Sequence, residues 1–146
     1  MAGLQITSDA FAAGGTIPSR HTCDAENVSP PLSFAGAPAG TRSLALIVDD
    51  PDAPVGTFTH WLAWSIDANA DGLDEGQAAP REGCNGFGTT GYAGPCPPHG
   101  RHRYFFRLHA LDTELELQPG ADRDQLDRAL NGHVLETAEL VGGYVR

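Results

Sequence analysis

The 146-residue chain contains no lysine: its nine cations are all arginines, set against 19 Asp and Glu for a formal net charge of −10. Without Lys there is no Schiff-base or P-loop chemistry and no lysine acid–base catalysis. So few cations exclude nucleic acid as a partner, because phosphate-backbone binding needs clustered positive charge. Strong binding to an anionic membrane is excluded on the same ground. No apolar run approaches the ~20 residues that span a bilayer. Residues Met1 to Gln5 lack a basic start and an apolar stretch, so no secretory signal is read and the cytoplasm is the expected compartment. Only three cysteines are present, Cys23, Cys84 and Cys96, which fit neither a CxxC metal pattern nor a disulfide framework. An odd count leaves at least one thiol free; in an exported chain, Cys23–Cys96 or another pair would be able to bridge.

What is present points to a folded, mainly β protein. Hydrophobic residues make up 40% of the chain, too many for a disordered acidic tail, and the length suits one domain over residues 1–146. Gly and Pro together supply 29 residues (18 and 11), about a fifth of the total, which disfavours a helical bundle. Short runs rich in β-branched and aromatic residues, separated by turn clusters, predict antiparallel strands at Ser43–Val48, Thr59–Ile66 and Tyr104–Leu111. Leu4–Ile6, Thr16–Pro18 and Val141–Val145 are weaker edge candidates. Helix is expected only near the C-terminus. Asp122 or Asp124 would cap a segment carrying Leu126, Ala129 and Leu130 and ending at Asn131-Gly132, and His133–Leu140 would form a second short helix. Ser19–Gly40 and Asp67–Pro98 read as long coil.

Three clusters carry polar chemistry. The apolar run Leu44 to Val48 ends in Asp49-Asp50-Pro51-Asp52-Ala53-Pro54, so a core strand delivers three carboxylates into a Pro-fixed turn. In the next strand, period-2 alternation puts His60 on one face with Leu62 and Trp64. The third cluster runs from Gly91 to Tyr104, a Gly/Pro-rich loop entering a strand with His99, Arg101, His102 and Arg103. Residues 101–110 hold three Arg and no acid, whereas residues 43–100 hold eight acids and one Arg, so positive charge converges here. Alternation places His102 and Tyr104 on one strand face and Arg103 on the other.

In order along the chain, Ile17-Pro18, Thr22-Cys23-Asp24, Asn27 to Leu32, Asp50-Pro51-Asp52-Ala53-Pro54, His60-Trp61-Leu62, Gly91 to Pro98, His102 to Phe106 and Gly132 to Leu135 resemble the phosphatidylethanolamine-binding protein family, in its short prokaryotic, Raf-kinase-inhibitor-like branch. The resemblance implies an antiparallel β-sandwich with short helices near the C-terminus and one small surface pocket for phosphate or a phosphorylated headgroup. Carried over position by position, its ligand-binding residues would be Asp50, Phe58, His60, Cys96, His102 and Tyr104. Backbone, His and Tyr donors would meet the anion while Asp50 fixes a histidine tautomer or takes a proton. Two departures stand out: Ala25 replaces the usual Gly after Thr-Cys-Asp, and Cys96 places a thiol at the pocket lip where many eukaryotic members have Gly.

The leading functional expectation is a small-anion or phosphorylated-ligand binding protein that modulates a protein partner. One alternative is a protease or kinase inhibitor acting through loop surfaces. Another is a hydrolase or metal-dependent enzyme using Asp50, His60 and His102, with Cys96 and His102 as the one nucleophile–base pair. An enzyme is the less favoured class, because no nucleophile elbow or HExxH motif is present and no cofactor is expected. A homodimer is a further possibility, for which Trp61, Trp64 and the Phe105-Phe106 pair could furnish a patch if not all are buried. Asp50-Pro51 and Pro97-Pro98 are the candidates for cis peptide bonds.

Overall fold

In the computed structural model, which describes residues 3–54 and 56–146, strand β3 (Ser43–Asp50) is buried along its whole length. The reason is that it is covered on both faces. Leu44, Leu46 and Val48 point into a core shared with a small sheet, while Ala45 and Ile47 point into a second core under a helix. A near-continuous apolar run is what two covered faces require.

The large antiparallel sheet has the order β6 (Arg81–Glu82), β4 (Phe58–Asp67), β3, β7 (Arg101–Leu111), β8 (Val134–Val145). The small one has the order β1 (Gln5–Thr7), β2 (Leu32–Ala35), β5 (Gly72–Leu73). Leu4, Ile6, Phe34 and Leu73 on the small-sheet side meet Trp61, Tyr104, Phe106, Leu108 and Leu140 of the large sheet, which completes the sandwich. Each such side chain contributes roughly 1.5–3 kcal/mol through its burial. On the opposite face, α1 (Arg123–Leu130) lays Leu126 and Leu130 against Leu62, Trp64 and Leu111. A capping box starts this helix: the Asp122 carboxylate accepts from the Gln125 N–H at 2.8 Å, and the Gln125 side chain accepts from the Asp122 N–H at 2.9 Å.

Several expectations need correction. His133–Leu140 is not a helix: from Val134 on it belongs to β8, which pairs with β7 from Leu111↔Val134 to Arg101↔Val145. Its Val134, Leu135 and Ala138 suit a helical stripe, but the long ladder wins and turns Ala138, Leu140 and Tyr144 inward. The two long coils contain β2, β5 and β6, strands too short to show a period, and Thr16–Pro18 reduces to one parallel bridge, Thr16↔Gly143. Trp61, Trp64 and Phe106 are core residues, so they cannot furnish a dimer patch. Among the described residues every peptide bond is trans, those before Pro51 and Pro98 included. No helix of the described residues is long and apolar enough to cross a membrane.

Candidate functional site

The site begins with a defect in strand pairing. Trp61 pairs with Val48 and Thr59 with Asp49, so His60 is an extra residue facing no partner on β3. Strict alternation would group His60 with Leu62 and Trp64. Those two lie in the core beneath α1, whereas the bulge returns His60 to the sandwich side, its ring 5.3 Å from that of Tyr104 and 5.0 Å from Phe58. The end of β3 puts Asp50 on this same face, and β7 presents His102 and Tyr104 there by simple alternation.

These side chains line a cavity of about 160 Å³ at the strand ends. All six residues named from the sequence, Asp50, Phe58, His60, Cys96, His102 and Tyr104, are in its wall, together with Ala53, Pro54, Phe87, Pro97 and Pro98. Asp50 and His102 form a buried pair: the Nδ1–H of His102 donates to Asp50 Oδ2 at 2.6 Å, leaving Nε2 for a ligand. The other Asp50 oxygen accepts from the Asp52 N–H at 2.8 Å, which fixes the carboxylate against the turn. The Nδ1–H of His60 donates to the Ala93 carbonyl at 2.6 Å, so the neutral ring carries a lone pair on Nε2. Burial holds the His60 pKa below its usual value, with the Ala93 hydrogen bond only partly opposing it.

Tyr104 is the anomaly. Its hydroxyl is the one buried side-chain polar atom of the described residues with no hydrogen-bond partner. Burial, followed by the nearby Asp50 carboxylate, pushes its pKa well up, so the group stays an O–H donor. Leaving such a donor unpaired costs roughly 1–3 kcal/mol, an expense expected where a ligand supplies the acceptor.

The Gly91–Pro98 wall is tied down from several sides. The Gly94 N–H donates to Asn27 Oδ1 at 2.8 Å, and any Cβ on Gly94 would lie 2.0 Å from the His21 carbonyl oxygen. Cys96 is bridged to Cys23 across 73 residues. The expected thiol at the lip is therefore absent, the Cys96–His102 nucleophile pair falls with it, and Cys84 is the free cysteine. Disulfides persist in oxidising surroundings, so the site lends the cytoplasmic expectation no support.

Nor is the cavity cationic. No arginine lines it. Arg103 projects from the opposite face of β7 and clamps Asp52 through Nε and Nη2, each at 2.9 Å, which lowers the Asp52 pKa to about 2. The three arginines that converge in the sequence are thus spent elsewhere: Arg103 on the turn, Arg107 on Asp49 and Glu139, and Arg101 beside the Gly14 carbonyl.

Sequence reasoning passed over Phe87. Its loop is held by the buried Asn85 side chain, which accepts from the N–H groups of Phe87 and Thr89 and donates to the Gly91 carbonyl. Gly86 must lack a side chain, since a Cβ there would meet the Phe58 ring at 2.5 Å. An aromatic between two glycines, Gly86-Phe87-Gly88, was the available signal. Among the described residues no group of three or more His, Cys, Asp or Glu is arranged to hold a metal ion. The cavity wall offers neither a Ser or Thr hydroxyl nor a free thiol.

An antiparallel β-sandwich with one small aromatic-walled cavity at the ends of its central strands defines the class. The family profile described as phosphatidylethanolamine-binding protein matches residues 7–145, and the chain belongs to that family. It is 51% identical to a UPF0098 protein of Methanothermobacter thermautotrophicus, over 98% of this chain and 99% of that one. A UPF0098 protein of Pyrococcus horikoshii is 46% identical, over 95% and 75% of the two chains. Among solved structures, a phosphatidylethanolamine-binding protein homologue from Chlamydia trachomatis superposes with a TM-score of 0.96 at 39% identity, covering 100% of this chain and 99% of that one. YbcL of E. coli, described as a member of the mammalian family, superposes with a TM-score of 0.93 at 31% identity and 99% coverage of each chain.

Proposed function

We propose that the chain is a binding protein for small oxyanions, phosphate or a phosphoryl group first among them, and that binding carries a proton into the cavity. The observation that carries this reading is the unpartnered Tyr104 O–H beside two histidines in a small, arginine-free pocket. Tyr104 can donate one hydrogen bond to an oxyanion, but neutral His60 offers only an acceptor at Nε2. His60 takes up that proton as the anion binds, which turns Nε2 into a donor and adds one proton to the complex, so affinity rises as pH falls. The wall excludes polyanions by its size, and the net charge of −10 repels them at long range. Occupancy would then alter the loops at the cavity mouth, where a protein partner such as a protease or kinase would read it.

The test is thermal unfolding at constant ionic strength with phosphate added. Wild type should melt higher in millimolar phosphate by mass action on the folded state. His60→Ala should show no increase. A wild-type melting temperature indifferent to phosphate between pH 5 and 8 contradicts the reading.

A further inference from the structure

Among the described residues, Phe87 is the one large apolar side chain of the cavity wall that is also exposed, at 52% of its surface. Its ring is 4.8 Å from Phe58 in an edge-on contact and 5.9 Å from His60. It is not a loose loop tip, because the buried Asn85 fixes the backbone on both sides of it. Holding an aromatic ring half in water by such a network has no evident benefit to the fold. Beside it the mouth is apolar as well, formed by Pro54 and Pro98.

Size decides what that rim is for. A dry cavity of about 150 Å³ holds one benzene ring, so 160 Å³ admits a phosphoryl group or a ring but not both. The polar groups, His60, His102 and Tyr104, belong to the oxyanion. Whatever the oxyanion is esterified to must leave through the mouth and run across Phe87. Resting on the oxyanion reading above, we infer that the ligand is a phosphate monoester with a flat aromatic substituent, and that Phe87 is the specificity-determining residue that stacks on it.

Methyl phosphate and phenyl phosphate have the same charged head and differ only in the group outside, so their comparison isolates the rim. Calorimetric titration of wild type should give phenyl phosphate about tenfold tighter binding than methyl phosphate, the size of a stacked aromatic contact plus the area it buries. In Phe87→Ala the preference should collapse, the ratio of the two affinities falling from about ten to about one. Phe87→Leu, which keeps apolar bulk at the rim, guards against misfolding and should retain only part of the preference. In the wild type, phenyl phosphate but not methyl phosphate should shift the Phe87 ring proton resonances. Equal binding of the two esters, or a preference that survives Phe87→Ala, overturns the inference and leaves the oxyanion site standing. Failure of folded wild type to bind methyl phosphate, phenyl phosphate or inorganic phosphate overturns that site and the inference together.

Discussion

Asp49 and Asp50 are neighbours at the end of one strand, and both are almost fully buried, yet they face opposite sides of the sheet and serve opposite ends. Asp49 lies beneath α1 between two guanidiniums, Arg107 at 2.5 Å and Arg123 at 3.0 Å, with Arg123 also reaching Thr59. Those arginines continue to Glu139 and Asp127, so every charge there is answered by another. Asp50 has the His102 imidazole as its one side-chain partner, beside a Tyr hydroxyl that nothing satisfies. A closed ion network holds structure together; an open one, left short of an acceptor, is the arrangement on which the proposed oxyanion site rests. The wider groove over α1, of about 680 Å³, makes the same point: Arg107 and Arg123 line it but are already spent.

The largest expected effect falls on the Asp50 face alone. Reducing the Cys23–Cys96 bridge releases a loop of 73 residues, worth about 4 kcal/mol in chain entropy. Urea unfolding with and without a dithiol should show that loss, and reduced protein should bind phosphate more weakly because Cys96, Pro97 and Pro98 are wall. An unchanged midpoint would mean the wall is held by other contacts. Next, Asp49→Asn should cost about 3 kcal/mol by stranding two partly buried guanidiniums, with phosphate binding unaltered. Asp50→Asn should cost less stability but change both the affinity and its pH dependence. If Asp49→Asn impaired binding as much as Asp50→Asn, the division between the two faces would fail. A smaller effect separates them further. Tyr104→Phe removes an unsatisfied hydroxyl, so the unliganded protein should be as stable as wild type or up to about 1 kcal/mol more so, while phosphate affinity drops roughly tenfold. A destabilised Tyr104→Phe would show that the hydroxyl had a partner after all.

The sequence made the core of this arrangement readable. The run from Leu44 to Val48 announced a doubly covered strand, its end announced the carboxylates, and alternation in β7 put His102 and Tyr104 together. Two local rules then failed for stated reasons. His60 reaches the cavity through a bulge, which no period-2 reading contains. β8 was hidden because its residues carry a helix-like stripe and owe their conformation to a partner strand between 23 (134 − 111) and 44 (145 − 101) residues away. The Arg-rich start of β7 misled in another way: the charges are adjacent in sequence to the cavity residues, but pleating points Arg103 away from His102 and Tyr104, between which it stands. Phe87 and the Cys23–Cys96 pairing depend on loops whose path only long-range contacts define.

Proton coupling at His60 is the account's central claim, and its sign is fixed by burial. A His whose folded pKa is lowered binds its proton more weakly than in the unfolded chain, so its contribution to stability is present above about pH 6.5 and is lost as pH falls toward the folded value. Bound phosphate should reverse this by favouring the charged ring. Direct observation of the His60 ring nitrogens by NMR across pH 4 to 8, with and without saturating phosphate, tests it. The account predicts a neutral Nδ1–H ring that titrates below the ordinary value when the cavity is empty, and a clear upward shift in phosphate. A His60 titration that is unmoved by phosphate, in protein whose histidines outside the cavity serve as the internal standard, would contradict it.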